Sequence, residues 1–255
     1  GTVSAELVAA SITMYILCFR SKELSLRIDT GRFLPTWGVV KRALHISLPM
    51  GLQQTIMCSA YVMTTIIIAP LGTFAIAANS FGVIVESLCY MPGYGIADAA
   101  TTLVGQSIGA GRHELMKRFA WLSVGLGVTV MAVMGVVMYV GAPVAMAMMT
   151  PAEEVRRLGV EVLRIEAFAE PMFAAAIVSY GVFVGAAKTL VPSIMNLVSI
   201  WGVRISLAAL LAPSMGLRGV WIAMCIELCF RGFIFLVKLK FWNIQTSCNH
   251  YGKDQ

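Results

Sequence analysis

Two carboxylates spaced one helical turn apart are the residues of this sequence best suited to chemistry. Glu166 and Glu170 face the same way if their segment is helical, and Pro171 follows directly. A carboxyl group that gains and loses a proton near neutral pH, or that holds Na⁺ with nearby hydroxyl and amide oxygens, can couple ion movement to transport. The alternative is a hydrated, outward-facing pair, and the residue types favour neither.

Further ionisable and amide side chains lie inside long apolar runs. An ionised group costs about 2.5–3.5 kcal/mol at the centre of a membrane helix, so each is a functional candidate. Asn79 and Glu86 share a helix face, and Arg204 needs an acidic partner, which Glu86 or Glu227 could supply. The same groups can instead form hydrogen bonds between helices. The candidates for cation coupling or cavity lining are Gln53, Gln54, Asn79, Glu86, Glu166, Glu170, Asn196, Arg204 and Glu227.

Two pairs of opposite charge have the spacing of helical ion pairs. Glu227 and Arg231 stand at i,i+4, and Glu161 and Arg164 stand at i,i+3. Both pairs can neutralise themselves within one helix, and we expect them to be structural.

Arrangements typical of enzymes, nucleotide sites and metal sites are missing from the sequence. The segment Gly185–Thr189, GAAKT, lacks the spacing of a phosphate-binding loop, and the histidines lie at connectors or in the tail. The six cysteines are scattered, mostly within apolar runs, and have neither metal-ligand nor disulfide-framework spacing. We therefore expect no enzymatic activity, no cofactor and no bound metal other than Na⁺.

The composition is that of a membrane protein. Of the 255 residues, 58% are hydrophobic and only 13% are charged, with a mean hydropathy of +0.82. This leaves too little polar surface to cover a water-soluble globule. The net charge of +6 comes from bases in short connectors, which favours membrane orientation over nucleic-acid binding.

The apolar runs predict an all-α, polytopic protein, because a chain in lipid must satisfy its own backbone hydrogen bonds. The run 73–108 would measure about 54 Å as one straight helix, so it must tilt, bend or leave the membrane. Candidate kinks are Pro49, Pro92 with Gly93 and Gly95, and Pro171, whereas Gly105 and Gly109 have the spacing of close helix packing. The seven predicted spans are 1–19, 45–70, 73–108, 118–149, 158–184, 190–212 and 217–242.

Charge asymmetry predicts the orientation. Twelve lysines and arginines lie on or beside one set of connectors, against three, Arg156, Arg157 and Arg218, on the other. The first set is therefore expected in the cytoplasm, together with the tail 243–255. The long connector 20–44 separates 1–19, as the last helix of a preceding lobe, from 45–242, as a six-helix lobe; the odd helix suggests truncation.

Several segments resemble the multidrug and toxic compound extrusion (MATE) transporters, most specifically residues 91–112, MPGYGIADAATTLVGQSIGAGR. Shorter matches are Leu48-Pro49, 72–79 (GTFAIAAN), 185–189 (GAAKT), 201–205 (WGVRI) and 219–224 (GVWIAM). Some family members carry an acid in the first helix of this lobe, where this sequence has Gln53 and Gln54.

The resemblance implies the second lobe of a two-lobe, twelve-helix antiporter of the plasma membrane, or cell inner membrane. Such a protein rocks between inward- and outward-open states, and exports amphipathic, often cationic drugs in exchange for H⁺ or Na⁺. Its partners would be the drug, membrane lipid and the missing N-terminal lobe. Two alternatives remain: a flippase for lipid-linked sugars or other lipids, and a helical membrane subunit that transports nothing.

Overall fold

The computed structural model describes residues 2–16 and 37–242, apart from some side chains in its first two helices, and these residues are almost entirely helical. The predicted all-α fold is confirmed. The helices are α1 (Thr2–Tyr15), α2 (Trp37–Ile68), α3 (Thr73–Gly109), α4 (His113–Met149), α5 (Glu153–Glu166), α6 (Glu170–Gly185), α7 (Leu190–Val198), α8 (Ser206–Met215) and α9 (Leu217–Lys240). A 3₁₀ turn, Ala69–Leu71, follows α2, and a π-helical segment, Ser199–Ile205, joins α7 to α8.

The chain divides into two compact units, Gly1–His45 and Ile46–Gln255. The first contains α1 and the opening residues of α2, and the second contains everything that follows. Most of the predicted connector 20–44, the end of the predicted helix 1–19 and the tail 243–255 lie outside the described residues. The division into a preceding helix, a connector, a lobe and a tail therefore stays a prediction.

Five helices of the described chain are long and apolar enough to cross a membrane, and the bent pair α5 and α6 makes a sixth if it is one broken span. The five are Gln54–Leu71, Thr73–Gly109, His113–Met149, Leu190–Met215 and Leu217–Lys240. The protein is therefore a multi-pass membrane protein.

The predicted continuous run 158–184 is not one straight helix. Helix α5 begins earlier, at Glu153, and the axes of α5 and α6 meet at 60°. Pro171 occupies the first turn of α6, where its missing N–H costs no hydrogen bond. It therefore begins the second helix and does not kink a continuous one.

Helix α3 continues through Pro92 for 37 residues without interruption. Gly93 is buried, and a Cβ there would lie 3.2 Å from Sδ of Met131 on α4. Gly95 has open space around it within the described chain. Close packing on α4 thus involves Gly93 alone of these two glycines.

Helices α3 and α6 touch backbone to backbone. A Cβ on Gly181 would lie 2.6 Å from the carbonyl oxygen of Ala97, and one on Gly185 would meet the carbonyl of Thr101. Oγ1 of Thr101 donates a hydrogen bond of 2.8 Å to the carbonyl of Gly181. Only glycine permits this approach.

The two glycines of α3 predicted to pack closely behave differently. A Cβ on Gly105 would lie 3.4 Å from the carbonyl of Gly185, an ordinary contact. Gly109 has no atom of the described residues within 4 Å of its Cβ position, because α3 ends there. Among the described residues, Gly109 therefore makes no close helix contact.

The core of the second unit surrounds α6. Eleven of its 16 residues are buried, among them Ala174, Ala175 and Ala176, and it packs against α3, α4 and α9. Small residues let three helices approach one another around it. This arrangement holds α6 in the middle of the lobe.

The predicted pair Glu161 and Arg164 does not form. Arg218, on α9, holds both carboxylate oxygens of Glu161, with its Nε 2.6 Å from Oε2. The guanidinium of Arg164 lies over the ring of Tyr139 instead, 5.2 Å from its centroid. This ion pair joins α5 to α9. Two nitrogens of the planar guanidinium of Arg218, Nε and Nη2, each donate to one oxygen of the carboxylate.

Candidate functional site

A cavity of about 260 Å³ lies within the second unit, between α2, α3, α6, the π-helical segment and α9. Its lining combines aromatic rings with a few polar and charged groups, as ligand sites do. The residues that define it are Tyr61, Thr64, Asn79, Glu86, Tyr90, Tyr94, Phe173, Arg204, Trp221 and Arg231, with Met57, Ala60, Thr65, Ser80, Val83, Ile200, Val220, Met224 and Leu228 between them.

One face of α3 supplies the largest part of the wall. Asn79, Val83, Glu86, Tyr90 and Tyr94 follow one another at intervals of three or four residues and all line the cavity. The predicted common face of Asn79 and Glu86 is therefore real. Glu86 is 7% exposed, so its carboxyl group lies within the protein beside the cavity.

Trp221 fixes one end of that face. Its indole Nε1 donates a hydrogen bond of 3.1 Å to Oδ1 of Asn79. Gly82 makes room for the ring, because a Cβ there would lie 3.0 Å from Cζ2 of Trp221. The glycine and the amide together hold Trp221 against α3.

Aromatic rings continue around the cavity. Tyr90 makes edge contacts with Tyr94, at 5.5 Å between centroids, and with Phe173 of α6, at 5.7 Å. The ring of Tyr61, on α2, lies 5.9 Å from the guanidinium carbon of Arg204. Such a wall can hold a flat, apolar or cationic molecule through its faces.

Arg204 enters the cavity from the π-helical segment. A π-helical turn contains an extra residue and re-aims the side chains beyond it. The guanidinium contacts Sδ of Met224. No carboxylate of the described residues lies within ion-pair distance of it, although it interacts electrostatically with Glu86. Neither Glu86 nor Glu227 forms the direct pair that the sequence suggested.

Glu227 is fully buried and has other partners. Oε1 of Glu227 accepts a hydrogen bond of 2.6 Å from the Ser199 hydroxyl and lies 3.1 Å from Nε of Arg231. The predicted pairing of Glu227 with Arg231 is therefore confirmed. Arg231 itself lines the cavity and stacks over Phe173 at 5.5 Å, so the pair belongs to the site as well as to the core.

Glu166 and Glu170 flank the break between α5 and α6. Each is 1% exposed, so the alternative of a hydrated, outward-facing pair is wrong. Oε2 of Glu166 and both carboxylate oxygens of Glu170 are buried without a hydrogen-bond partner among the described residues. Neither residue lines the cavity, but both interact electrostatically with Glu86. Buried carboxyl groups left in this state are unusual and need a proton or a ligand.

Of the remaining predicted residues, Asn196 and Gln54 do not line this cavity. Asn196 is buried in α7, and Gln54 is exposed on α2. Pro49 and Gln53 belong to α2, but their side chains lie outside the described part of the chain. Over residues 2–16 and 37–242, no three His, Cys, Asp or Glu side chains come together as a metal site.

Tyr61, Tyr90, Tyr94, Trp221 and Arg231 were not among the predicted site residues. The signal for two of them was present, because Tyr90 and Tyr94 continue the face of Glu86 at helical spacing. Arg231 was assigned a purely structural role because its partner lies in its own helix. Tyr61 and Trp221 lie on other helices, and only the packing of α2 and α9 brings them to α3.

Polar sites beside discontinuous membrane helices are common in secondary transporters. The MatE family model matches residues 49–210, and the chain belongs to this family of multidrug and toxic compound extrusion (MATE) transporters. This membership confirms the resemblance found in the sequence, and it identifies the chain as part of a membrane transporter and not of an enzyme.

Relatives of known sequence support this family membership. A probable multidrug resistance protein NorM from Thermotoga maritima is 27% identical over 242 residues, which is 93% of this chain and 51% of that protein. A probable multidrug resistance protein NorM from Xylella fastidiosa is 29% identical over 221 residues, covering 86% of this chain and 47% of that protein. The chain thus spans about half the length of these relatives.

Solved structures show the same fold. A MATE protein crystallised in complex with MaL6 superimposes with a TM-score of 0.82 at 18% identity, over 92% of this chain and 53% of that one. The MATE transporter ClbM in complex with Rb⁺ superimposes with a TM-score of 0.75 at 22% identity, over 83% of this chain and 49% of that one. A MOP superfamily transporter from Pyrococcus furiosus gives 0.81 at 18% identity, over 91% and 53%.

Proposed function

We propose that the whole protein is a secondary active antiporter that exports amphipathic, often cationic compounds in exchange for H⁺ or Na⁺. This chain would supply the C-terminal lobe and the last helix of the N-terminal lobe, and alternating access would require both lobes. The observation that carries the coupling part of the proposal is the excess of buried acids over buried bases around the cavity.

The charges of this region do not balance. Glu86, Glu166, Glu170 and Glu227 are all buried, and the nearby cations that act on them are Arg204 and Arg231. With every group ionised, the cluster would carry two uncompensated negative charges in the membrane interior. Uncompensated buried charge is costly, so protons or a bound cation must make up the difference. Exchange of that proton or cation across the membrane is the coupling step.

The cavity wall supports the substrate part of the proposal. Tyr61, Tyr90, Tyr94 and Trp221 offer aromatic faces, and Glu86 offers a negative charge when it is ionised. A flat organic cation gains from both. Protonation of Glu86 would remove the charge that holds such a cation, which links ion uptake to release of the compound.

The test measures dye export by the full-length protein in inside-out vesicles under an imposed H⁺ or Na⁺ gradient. Glu86→Gln and Glu170→Gln remove the titratable groups with little change in shape. We expect each to reduce gradient-driven export at least tenfold, the effect on a rate of about 1.4 kcal/mol. Glu114→Gln, at an exposed position on α4, makes the same change and should export like the parent. Parent-like export by both Glu86→Gln and Glu170→Gln would refute the assignment.

The flippase alternative has one observation in its favour. Arg204 and Arg231 both line the cavity, and an anionic lipid headgroup would suit them. Proteoliposomes decide between the two functions. Drug-stimulated H⁺ or Na⁺ movement supports the antiporter, whereas lipid transfer without ion movement supports the flippase.

The orientation is also a proposal. The twelve-to-three distribution of connector bases supports a cytoplasmic location for the inter-lobe connector and the tail. The family supports the plasma membrane, or cell inner membrane, as the location of the protein. Cysteine labelling from either side of intact cells tests the orientation.

A further inference from the structure

A groove on the outer surface of the lobe, separate from the cavity, combines an apolar floor with an arginine at its rim. The groove has a volume of about 360 Å³, and it is lined by side chains of α4, α5, the α5–α6 break and α9. The residues are Tyr139, Arg164, Ile165, Phe168, Ile222, Cys225 and Ile226.

The same arginine borders a second, polar recess. Arg164 lines this recess of about 570 Å³ together with two further arginines of α5, Arg156 and Arg157, and with the acids Glu153 and Glu161. The two recesses therefore meet at one guanidinium, with apolar surface on one side and positive charge on the other. This is the polarity of a phospholipid at the membrane interface, acyl chain inwards and phosphate outwards.

Arg164 is available for an anion. Glu161, the acid one turn earlier, is held by Arg218. Within the described chain no carboxylate lies within ion-pair distance of Arg164 or Arg156, and Arg157 pairs only with Glu154, at the exposed surface.

The floor is arranged for an acyl chain. Tyr139 and Phe168 meet edge to face at 5.8 Å, and Phe168 is 73% exposed because it lies in the break where α5 and α6 meet at 60°. The Tyr139 ring in turn carries the guanidinium of Arg164 on its face. The bend thus leaves an exposed aromatic ring next to a guanidinium, so that apolar and cationic surface adjoin.

We propose that this groove is a binding site for one anionic phospholipid, with the phosphate on Arg164 and Arg156 and a chain along Tyr139, Phe168 and Ile226. Arginine suits this task because its planar fork donates two hydrogen bonds to one phosphate. The site would bind lipid as a structural partner, independently of what the cavity transports.

Native mass spectrometry of the purified full-length protein tests the proposal, with phosphatidylglycerol and phosphatidylcholine of equal chain length offered as probes. We expect one phosphatidylglycerol to bind more tightly than phosphatidylcholine. Arg164→Gln should weaken that binding about tenfold or more, the usual effect of losing a charged hydrogen bond. Phe168→Ala, at a largely exposed side chain, should weaken binding of both lipids while the protein stays folded.

Arg118→Gln is the matched control, because it removes an exposed arginine elsewhere on the lobe. Its phosphatidylglycerol affinity should equal that of the parent. Equal affinity for the two lipids, or parent-like phosphatidylglycerol binding by Arg164→Gln, would overturn the proposal. Lipid binding is measured without an ion gradient, and none of the three substituted residues lines the cavity, so failure of this proposal and failure of the proposed function are distinguishable.

Discussion

The contact between α3 and α6 predicts a large effect from a single methyl group. In Gly181→Ala the new Cβ would lie 2.6 Å from the carbonyl oxygen of Ala97 and 3.0 Å from Oγ1 of Thr101. The first obstacle is backbone, so it cannot rotate away. The two helices must separate, and the 2.8 Å hydrogen bond from Thr101 to the Gly181 carbonyl must lengthen or break.

The size of the effect follows from three contributions. Overpacking of this kind costs about 1–3 kcal/mol. A lost hydrogen bond between membrane helices adds about 0.6 kcal/mol. Alanine recovers about 0.8–1.0 kcal/mol through its better helix propensity. The free energy of unfolding should therefore fall by about 2 kcal/mol, or about 4–8 °C in melting temperature for a cooperative unit of this size.

Thermal unfolding of the purified protein in detergent measures this shift. Gly125→Ala is the control, because Gly125 is an exposed glycine of α4 with no described atom within 4 Å of its Cβ position. That variant should melt at or slightly above the parent temperature. If Gly181→Ala has the same melting temperature as Gly125→Ala, the close contact between the backbones of α3 and α6 is refuted.

Two further predictions concern the site. Glu227→Ala leaves Arg231 buried without its partner, so it should destabilise the lobe by about 3–5 kcal/mol. The same unfolding assay measures this, and a change in melting temperature no larger than that of Gly125→Ala would contradict it. Trp221→Phe loses the hydrogen bond to Asn79 and also the indole atoms Cζ2 and Cη2 that pack beside Gly82. It should weaken binding of a fluorescent cationic dye to the full-length protein several-fold, and it should lower the melting temperature as well, because Trp221 is 1% exposed and the smaller ring leaves a cavity. Unchanged dye affinity would remove Trp221 from the proposed substrate site.

Hydropathy located the spans 73–108, 118–149, 190–212 and 217–242, because a helix satisfies the hydrogen bonds of a backbone in lipid within one segment. The run 73–108 corresponds to α3, Thr73–Gly109, almost to the residue. The same method missed the break in the run 158–184, because an average of hydropathy does not report a change in the direction of the helix axis. Pro171 did mark the place, yet its position in the first turn of α6 depends on where α5 ends, which tertiary packing decides.

The site was predictable where one helix was enough and unpredictable where several had to meet. Asn79 and Glu86 could be placed together from spacing, and Tyr90 and Tyr94 followed the same rule. Arg204 could not be assigned a partner, because its direction depends on the π-helical segment, which has no clear signature in sequence.

The two ends of α6 differ in what holds them. At its C-terminal end Gly181 and Gly185 lie against the α3 backbone, a contact that leaves no room for adjustment. At its N-terminal end Glu170 stands beside the break, buried and without hydrogen-bond partners among the described residues. A change in charge at Glu170 therefore acts on the end of α6 where the chain is already interrupted, while the opposite end stays fixed to α3. If the protein couples ion binding to a change of conformation, as proposed above, the acid lies at the interrupted end of α6 and the glycines lie at its fixed contact with α3.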